Sequence, residues 1–236
     1  MINPSFSSYS SFKKKYLTLE RAPFFDIAAD FITDKKDIVL DIGSGEGDFF
    51  KHLKKRDIDT TNVYLLDAND STVEKNKSLT TNSRLYFAPE RLPFEDGSVG
   101  LVHTSHLIDN IGSKDLYDFL FEIDRVLKPG GSLVISTPLL WSNFYDELSH
   151  TRPYNPYVFY KYLVHETRNT RYEKVKRAYS IEKVVYRYYE LPLDEGWGST
   201  IPAIDFFFVT TRRILRKLGV KRLYKNGYTM VLKKGS

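Results

Sequence analysis

The sequence predicts an α/β fold, a doubly wound and mostly parallel sheet with helices on its faces and a cap or insertion in the C-terminal half. Three observations carry this expectation. Short apolar runs alternate with amphipathic segments as far as Pro138. The early runs are nearly all-apolar, as strands covered on both faces must be. The first run ends in three glycines within five positions, Gly43, Gly45 and Gly47, directly before a helical pattern.

Each element follows from its residues. Ile38 to Ile42 reads as a first strand and Gly47 to Arg56 as a helix. Val63 to Asp67 (VYLLD) is a second strand, Ser71 to Leu79 a helix capped by Ser71, and Arg84 to Ala88 (RLYFA) a third strand. Val99 to Thr104 (VGLVHT) is a fourth. Ser113 then caps a helix whose Leu116, Phe119, Leu120, Ile123, Val126 and Leu127 recur at helical spacing. Lys128-Pro-Gly-Gly131 stops that helix, and Ser132 to Thr137 is the fifth strand. Strands joined through helices imply right-handed crossovers and a parallel sheet.

Beyond Pro138 the chain turns rich in tyrosine and lysine. Asn155-Pro156 reads as a cap and first-turn proline of a helix running to about Val164. Val184 to Leu191 is β-rich, Leu193 to Pro202 a loop, Ile204 to Leu218 helical and Tyr228 to Lys233 a last strand. Asn226-Gly227 is a hairpin signal, so Lys221 to Lys225 pairing locally with that last strand is an alternative. The expected organisation is a single domain over 1–236, with an N-terminal helical lid (1–37), a ligand-binding half (38–138), a substrate loop and cap (139–203) and a final helix and strand (204–236).

The composition narrows the chemistry. The 236 residues, 42% hydrophobic, suffice for a sizeable core. A formal charge of +5 suits an anionic ligand or a nucleic acid and demands neither. The absence of cysteine excludes disulfides, thiolate metal sites and cysteine nucleophiles. The N-terminal stretch lacks the apolar core of a signal peptide and no apolar run reaches about 18 residues, so no membrane insertion and a cytoplasmic location are expected.

A glycine-rich turn between strand and helix lets a ligand approach bare backbone at the carboxyl edge of the sheet. Asp67 ends the second strand 67 − 47 = 20 residues past the last glycine, where a carboxylate can accept both hydroxyls of a ribose. A dinucleotide site would use Gly-x-Gly-x-x-Gly. Here the pattern is Asp41-x-Gly43-x-Gly45-x-Gly47, with Glu46 and Asp48 where a pyrophosphate would sit and be repelled.

The stretch VLDIGSGEG, the acidic end of LLDAN, the RLPFEDGSVGLVHTSHLIDNI segment and the EIDRVLKPGGSLVISTP run together resemble the class I S-adenosylmethionine-dependent methyltransferases, in the right order over Ile38 to Pro138. The resemblance implies a Rossmann-like, seven-stranded methyltransferase fold that binds S-adenosyl-L-methionine and releases S-adenosyl-L-homocysteine. It places Gly43, Ser44, Gly45 and Gly47 against the methionine part of the cofactor, Asp41 toward its amino group, Asp67 on the ribose, and Ala68, Glu90, Leu92 and Thr104 around the rest of the nucleoside. Two positions depart from the pattern. Ala88 stands where many members carry an acid for the adenine amine, and Gly100 where the fourth strand usually carries an aspartate.

Methyl transfer from a sulfonium gains mostly from alignment, with a base needed only if the nucleophile must lose a proton. Candidates follow strands four and five: His103, His106 and Asp109, then Asp146-Glu-Leu-Ser-His150-Thr-Arg152. The latter is similar to a D-x-x-H-x-R segment of the small-molecule and sugar branch, with Glu147 at the aspartate position. His150 offers a base and Arg152 a fixed guanidinium for an anionic substrate group; bracing of the loop is the equal alternative. A metal site at Asp146, Glu147 and His150 lacks a spaced ligand set, and no metal is expected. Tyrosines from Tyr154 to Tyr189 and Trp197 could line an aromatic mouth, Tyr16 and Arg21 precede strand one closely enough for a helix to fold over the cofactor, and the basic runs Arg212-Arg213 and Arg216 to Arg222 read as solvated faces. Missing thiol and (Asp/Asn)-Pro-Pro-Tyr motifs leave methylation of a small molecule or glycan, at oxygen, as the expected function. RNA methylation or a cofactor-binding regulator without catalysis are the alternatives.

Overall fold

The computed structural model describes residues 15–141, 143–164, 179–191 and 200–235. Its seven-stranded sheet has the order β3-β2-β1-β4-β5-β7-β6. The strands are β1 (Ile38–Ile42), β2 (Val63–Asp67), β3 (Ser83–Leu85), β4 (Val99–Ser105), β5 (Leu127–Pro138), β6 (Tyr179–Leu191) and β7 (Arg222–Lys234). The helices are α1 (Ala22–Ala29), α2 (Asp48–Lys55), α3 (Asp70–Asn76), α4 (Ser113–Val126), α5 (Pro156–Phe159) and α6 (Pro202–Lys217), with a single π turn over Tyr160–Val164. β1 pairs in parallel with β2 and β4, β2 with β3 and β4 with β5, while β7 runs antiparallel to β5. The doubly wound, mostly parallel fold read from the sequence is the fold observed.

The chain divides into two compact units, 20–186 with 227–236, and 1–19 with 187–226. The larger unit holds the core. Leu40 and Ile42 of β1, Val102 of β4, Leu133 and Ile135 of β5 and Met230 and Leu232 of β7 are all buried in one cluster with Phe119, Leu120 and Ile123 of α4. These lie on one face of the sheet; Val39, Leu65, Val134 and Val231, which face the other way, are buried as well, and cover on both faces is what makes the central strands read as unbroken apolar runs. In the smaller unit, Arg187 Nε donates to Asn226 Oδ1 at 3.2 Å, Lys221 pairs with Glu190 and Leu17 bridges Tyr188.

Several boundaries differ from the sequence reading, each for a local reason. The cap of α3 is Asn69, whose side chain accepts from the Ser71 and Thr72 amides at 3.0 and 3.3 Å; Ser71 spends its hydroxyl on the same oxygen. Gly112 rather than Ser113 precedes α4 without a side-chain cap, and the Ser113 hydroxyl instead accepts from Arg152. Lys128 to Gly131, which ends the helix as expected, already belongs to β5. β3 is shorter than expected, and Asn155 caps a helix that ends after four residues in the π turn. No hairpin forms at Asn226-Gly227: β7 runs straight through it, and Gly227 stands opposite Pro138. Tertiary pairing with β5 outweighs the local turn preference.

Gly100 has a structural explanation. A Cβ there would come within 2.4 Å of the Asp37 side chain, which pairs with Lys128. It lies near the start of β4, at the sheet edge opposite Ser105 and His106.

Candidate functional site

β1 ends at Ile42 and the chain turns through three glycines that all adopt left-handed backbone, with φ of +73° at Gly43, +50° at Gly45 and +72° at Gly47. L side chains disfavour that region, which is why glycine recurs. The turn is closed by its own amides. Gly43 and Ser44 donate to the Leu66 carbonyl at 2.8 and 3.1 Å, Gly47 to the Ser44 carbonyl at 2.9 Å and Gly45 to Asp67 Oδ2 at 2.8 Å. A phosphate-binding loop turns such amides toward its ligand. Here four of them are satisfied within the protein, so the turn presents bare backbone and no anion cradle.

Asn76 completes the support. It is 1% exposed and its amide donates to the Gly45 carbonyl at 2.8 Å and to Ser44 Oγ at 3.4 Å. Gly47 is fixed by packing, since a Cβ there would meet Leu79 Cδ1 at 2.7 Å, whereas a Cβ on Gly45 meets no atom within 4 Å. The open side of Gly45 is a cavity of about 320 Å³. Gly43, Gly45, Asp67, Ala68 and His106 line it, the five expected site residues that the fold brings together. Arg21, at the start of α1, also lines it.

The other expected residues stand elsewhere. Asp41 is 2% exposed and its Oδ1 lies 2.8 Å from His103 Nδ1, inside an aromatic setting where the Phe49 ring is 4.2 Å from the imidazole. Thr104 is buried on β4, Ser44 is buried beneath the turn and Leu92 lies in the core. The exposed Glu90 follows the Tyr86 ring, whose hydroxyl donates to the Glu90 carbonyl at 2.8 Å. Burial and the charges of Glu122 and Glu90 push the Tyr86 phenol well up, so it stays a neutral donor.

Sequence reasoning missed Tyr86, Ser105, Leu107 and Asn110 in the cavity wall, and Asn76 behind it. Leu107 was discoverable only through packing: its Cβ lies 3.1 Å from where a Gly43 Cβ would be. Asn76 carries no motif signal at all.

His106 bears the site's strained backbone. Its φ is +55°, held by a bond from its amide to the Ser136 carbonyl at 2.9 Å and by Asn110 Nδ2 donating to its own carbonyl at 3.2 Å. A non-glycine residue in this region costs on the order of 1 kcal/mol, and such strain concentrates where a side chain must be aimed.

The loop after β5 is braced to the edge of the site. His150 Nδ1 lies 2.6 Å from the Phe144 carbonyl, its ring stacks on Phe144, and its Nε2 lies 3.1 Å from Asp109 Oδ2. Asp109 is fully buried, accepts from Thr137 Oγ1 at 3.1 Å, and gives its carbonyl to the amides of Thr151 and Arg152. The His150 ring is therefore held within the protein, with Nδ1 on the Phe144 carbonyl and Nε2 facing Asp109. Arg152 donates to Ser113 Oγ at 2.8 Å and opens on a separate cleft of about 380 Å³ with Lys161, Tyr154, Tyr157 and Tyr162. Among the described residues, none in the wall of that cleft is acidic. Tyr228 donates to the Tyr154 carbonyl at 2.8 Å, and Tyr154 in turn to the Ile111 carbonyl at 2.9 Å. Glu147 accepts from the Ser149 amide within its own turn, and among the described residues no group of three or more acidic or histidine side chains could hold a metal. Trp197 lies outside the described residues.

A parallel sheet with a bare glycine turn and an acid at the end of β2 offers a surface suited to a phosphate-free nucleoside. Residues 40–135 match the family model described as a methyltransferase domain. The chain is 40% identical over 102 residues to the ubiquinone/menaquinone biosynthesis C-methyltransferase UbiE of Laribacter hongkongensis, covering 41% of each chain. It is 36% identical over 121 residues to that of Cupriavidus metallidurans, covering 47% of this chain and 49% of the relative. The chain thus spans less than half the length of these two relatives. A SAM-dependent methyltransferase from Archaeoglobus fulgidus has the same fold with a TM-score of 0.56 at 18% identity, over 96% of this chain and 99% of the other. Over residues 40–135 the chain is thus similar to a methyltransferase domain, and its fold is that of a solved SAM-dependent methyltransferase. No described helix is long and apolar enough to cross a membrane.

Proposed function

We propose that the protein transfers a methyl group from S-adenosyl-L-methionine to a hydroxyl oxygen of a small molecule or glycan unit. The observation that carries this reading is the cavity at Gly45, whose wall combines bare backbone, the Asp67 carboxylate and the strained His106. Asp67 would take the ribose hydroxyls, and the Gly43 to Gly47 backbone would admit the methionine part without a side chain in the way. The cofactor carries no phosphate, so the loop has no need of a phosphate-binding set of amides. On the acceptor side, His106 would hold or remove the hydroxyl proton as the oxygen approaches the methyl. The cleft with Arg152 and Lys161 supports an acceptor that carries an anionic group, and its tyrosines support a ring.

Transfer to carbon is the second reading, supported by the names of the relatives at 36–40% identity. The two readings share one step, loss of a hydroxyl proton, after which either the oxygen attacks the methyl, or a ring carbon activated by it attacks and then loses its own proton to a base or solvent. Incubation with cofactor labelled in the methyl group and a panel of hydroxylated aromatic acids and sugars tests the proposal, with carbon–proton correlation spectra of the product separating O-methyl from C-methyl. Absence of transfer to every such acceptor, with cofactor bound, would favour a regulator; transfer only to RNA would favour the nucleic-acid reading.

A further inference from the structure

Helix α6 (Pro202–Lys217) has no buried residue, although it is rich in phenylalanine and isoleucine. Projected at about 100° per residue, Ile204, Phe207, Phe208, Ile214, Leu215 and Leu218 fall within one arc of roughly 120°. Four of them are open to solvent: Ile204 is 43%, Phe207 65%, Ile214 54% and Leu218 71% exposed. The sequence reading took the basic residues here for an ordinary solvated face. Phe206, 74% exposed, projects on the cationic side between Arg213 and Lys217. A solvated face accounts for the cations and leaves the arc of six apolar side chains unexplained.

The charge pattern says by what. From Pro202 to Leu218 the chain carries Arg212, Arg213, Arg216 and Lys217 against the single acid Asp205. Arg212 and Lys217 flank the two rims of the apolar arc, and all four cations lie in the C-terminal half of the helix. A cationic rim around an apolar face is the arrangement of a helix lying in the plane of a membrane surface, with its apolar side chains between acyl chains and its cations among anionic headgroups. Sixteen residues give about 24 Å of helix, short of the roughly 30 Å hydrocarbon layer, and the cations preclude spanning.

We propose that α6 is an interfacial helix that docks the protein on an anionic lipid surface. This goes beyond the methyl-transfer reading and does not depend on it. The test is flotation of the full chain with phosphatidylcholine vesicles, with and without phosphatidylglycerol. The protein should float with the phosphatidylglycerol vesicles, float far less with phosphatidylcholine alone, and be released as salt is raised. Arg213→Gln with Lys217→Gln should lower partitioning roughly 30-fold, since each cation near an anionic surface contributes about 1 kcal/mol. Phe207→Ser with Ile214→Ser should lower it at least about tenfold. Affinity for S-adenosylhomocysteine should be unchanged in both variants, showing an intact larger unit. The charge variant changes only surface residues and the salt series uses the native chain, so the test does not hang on the apolar variant. Failure to float with anionic vesicles at low salt would overturn the proposal. So would flotation insensitive to either pair of substitutions, or a solution dimer that Phe207→Ser with Ile214→Ser dissociates.

Discussion

Asp67 holds the glycine turn with one carboxylate oxygen, accepting from the Gly45 amide at 2.8 Å, and the amide of Asn69 with the other at 3.0 Å. The carboxylate is thereby aimed from both sides before any ligand arrives. Asp67→Ala should weaken S-adenosylhomocysteine binding roughly a hundredfold by calorimetry, the worth of two hydrogen bonds to a charged group. Unchanged affinity would remove Asp67 from the site.

Gly45→Val separates occupancy from stability. No protein atom lies within 4 Å of the added Cβ, so the fold bears only the cost of a side chain at φ +50°, about 1–2 kcal/mol. The side chain projects into the cavity, and cofactor binding should be lost while the thermal midpoint falls by a few degrees.

Asn76→Ala should act at a distance from any ligand. It removes a buried donor to the Gly45 carbonyl, costing about 1–2 kcal/mol in urea unfolding and lowering cofactor affinity through a loosened turn. A stability loss with unaltered affinity would show that the turn needs no such brace.

His106→Gly tests strain against chemistry. With φ +55° glycine relieves the backbone, so stability should hold or rise by about 1 kcal/mol. Methyl transfer should fall while S-adenosylhomocysteine still binds. Retained turnover would deny His106 a role in the reaction.

Glu122 and Arg125 make the acid limb of stability testable. Burial raises the Glu122 carboxyl, but the Arg125 hydrogen bonds and the Leu92 amide outweigh it and hold the group below its ordinary range. A carboxylate lowered in the folded state gives stability that is fully present above its unfolded pKa and is lost as pH falls from there through the lower, folded pKa. Urea midpoints of the native chain should therefore drop on acidification more steeply than those of Glu122→Gln. Arg125→Ala, which also frees the Leu92 and Phe94 carbonyls, should cost about 3 kcal/mol at neutral pH.

Much of this was legible in the residues themselves. The central strands announce themselves because both faces are covered, so Val63 to Asp67 was found at its true ends. Gly43, Gly45 and Asp67, singled out for turn geometry and for a carboxylate at the end of β2, line one cavity. The rest depends on partners far away in sequence. Asn226-Gly227 looks like a turn until β5 supplies a neighbour. Asp41 looks like a ligand for an amine until His103, 62 residues on, occupies its oxygen. Gly100 looks like a change in the site until Asp37 explains it. His150 reads equally well as base or brace, and only the positions of Phe144 and Asp109 show how its two nitrogens are used.

The antiparallel β7 also sets an order of assembly. Its Gly227 stands opposite Pro138, so the chain runs 227 − 138 = 89 residues before β5 meets its neighbour. During synthesis β5 therefore waits with one edge unpaired, an apolar ribbon able to accept the wrong strand. A nascent chain halted anywhere between them would expose that edge, and recruitment of a chaperone to arrested chains should peak there and vanish once Lys233 can reach Ser132.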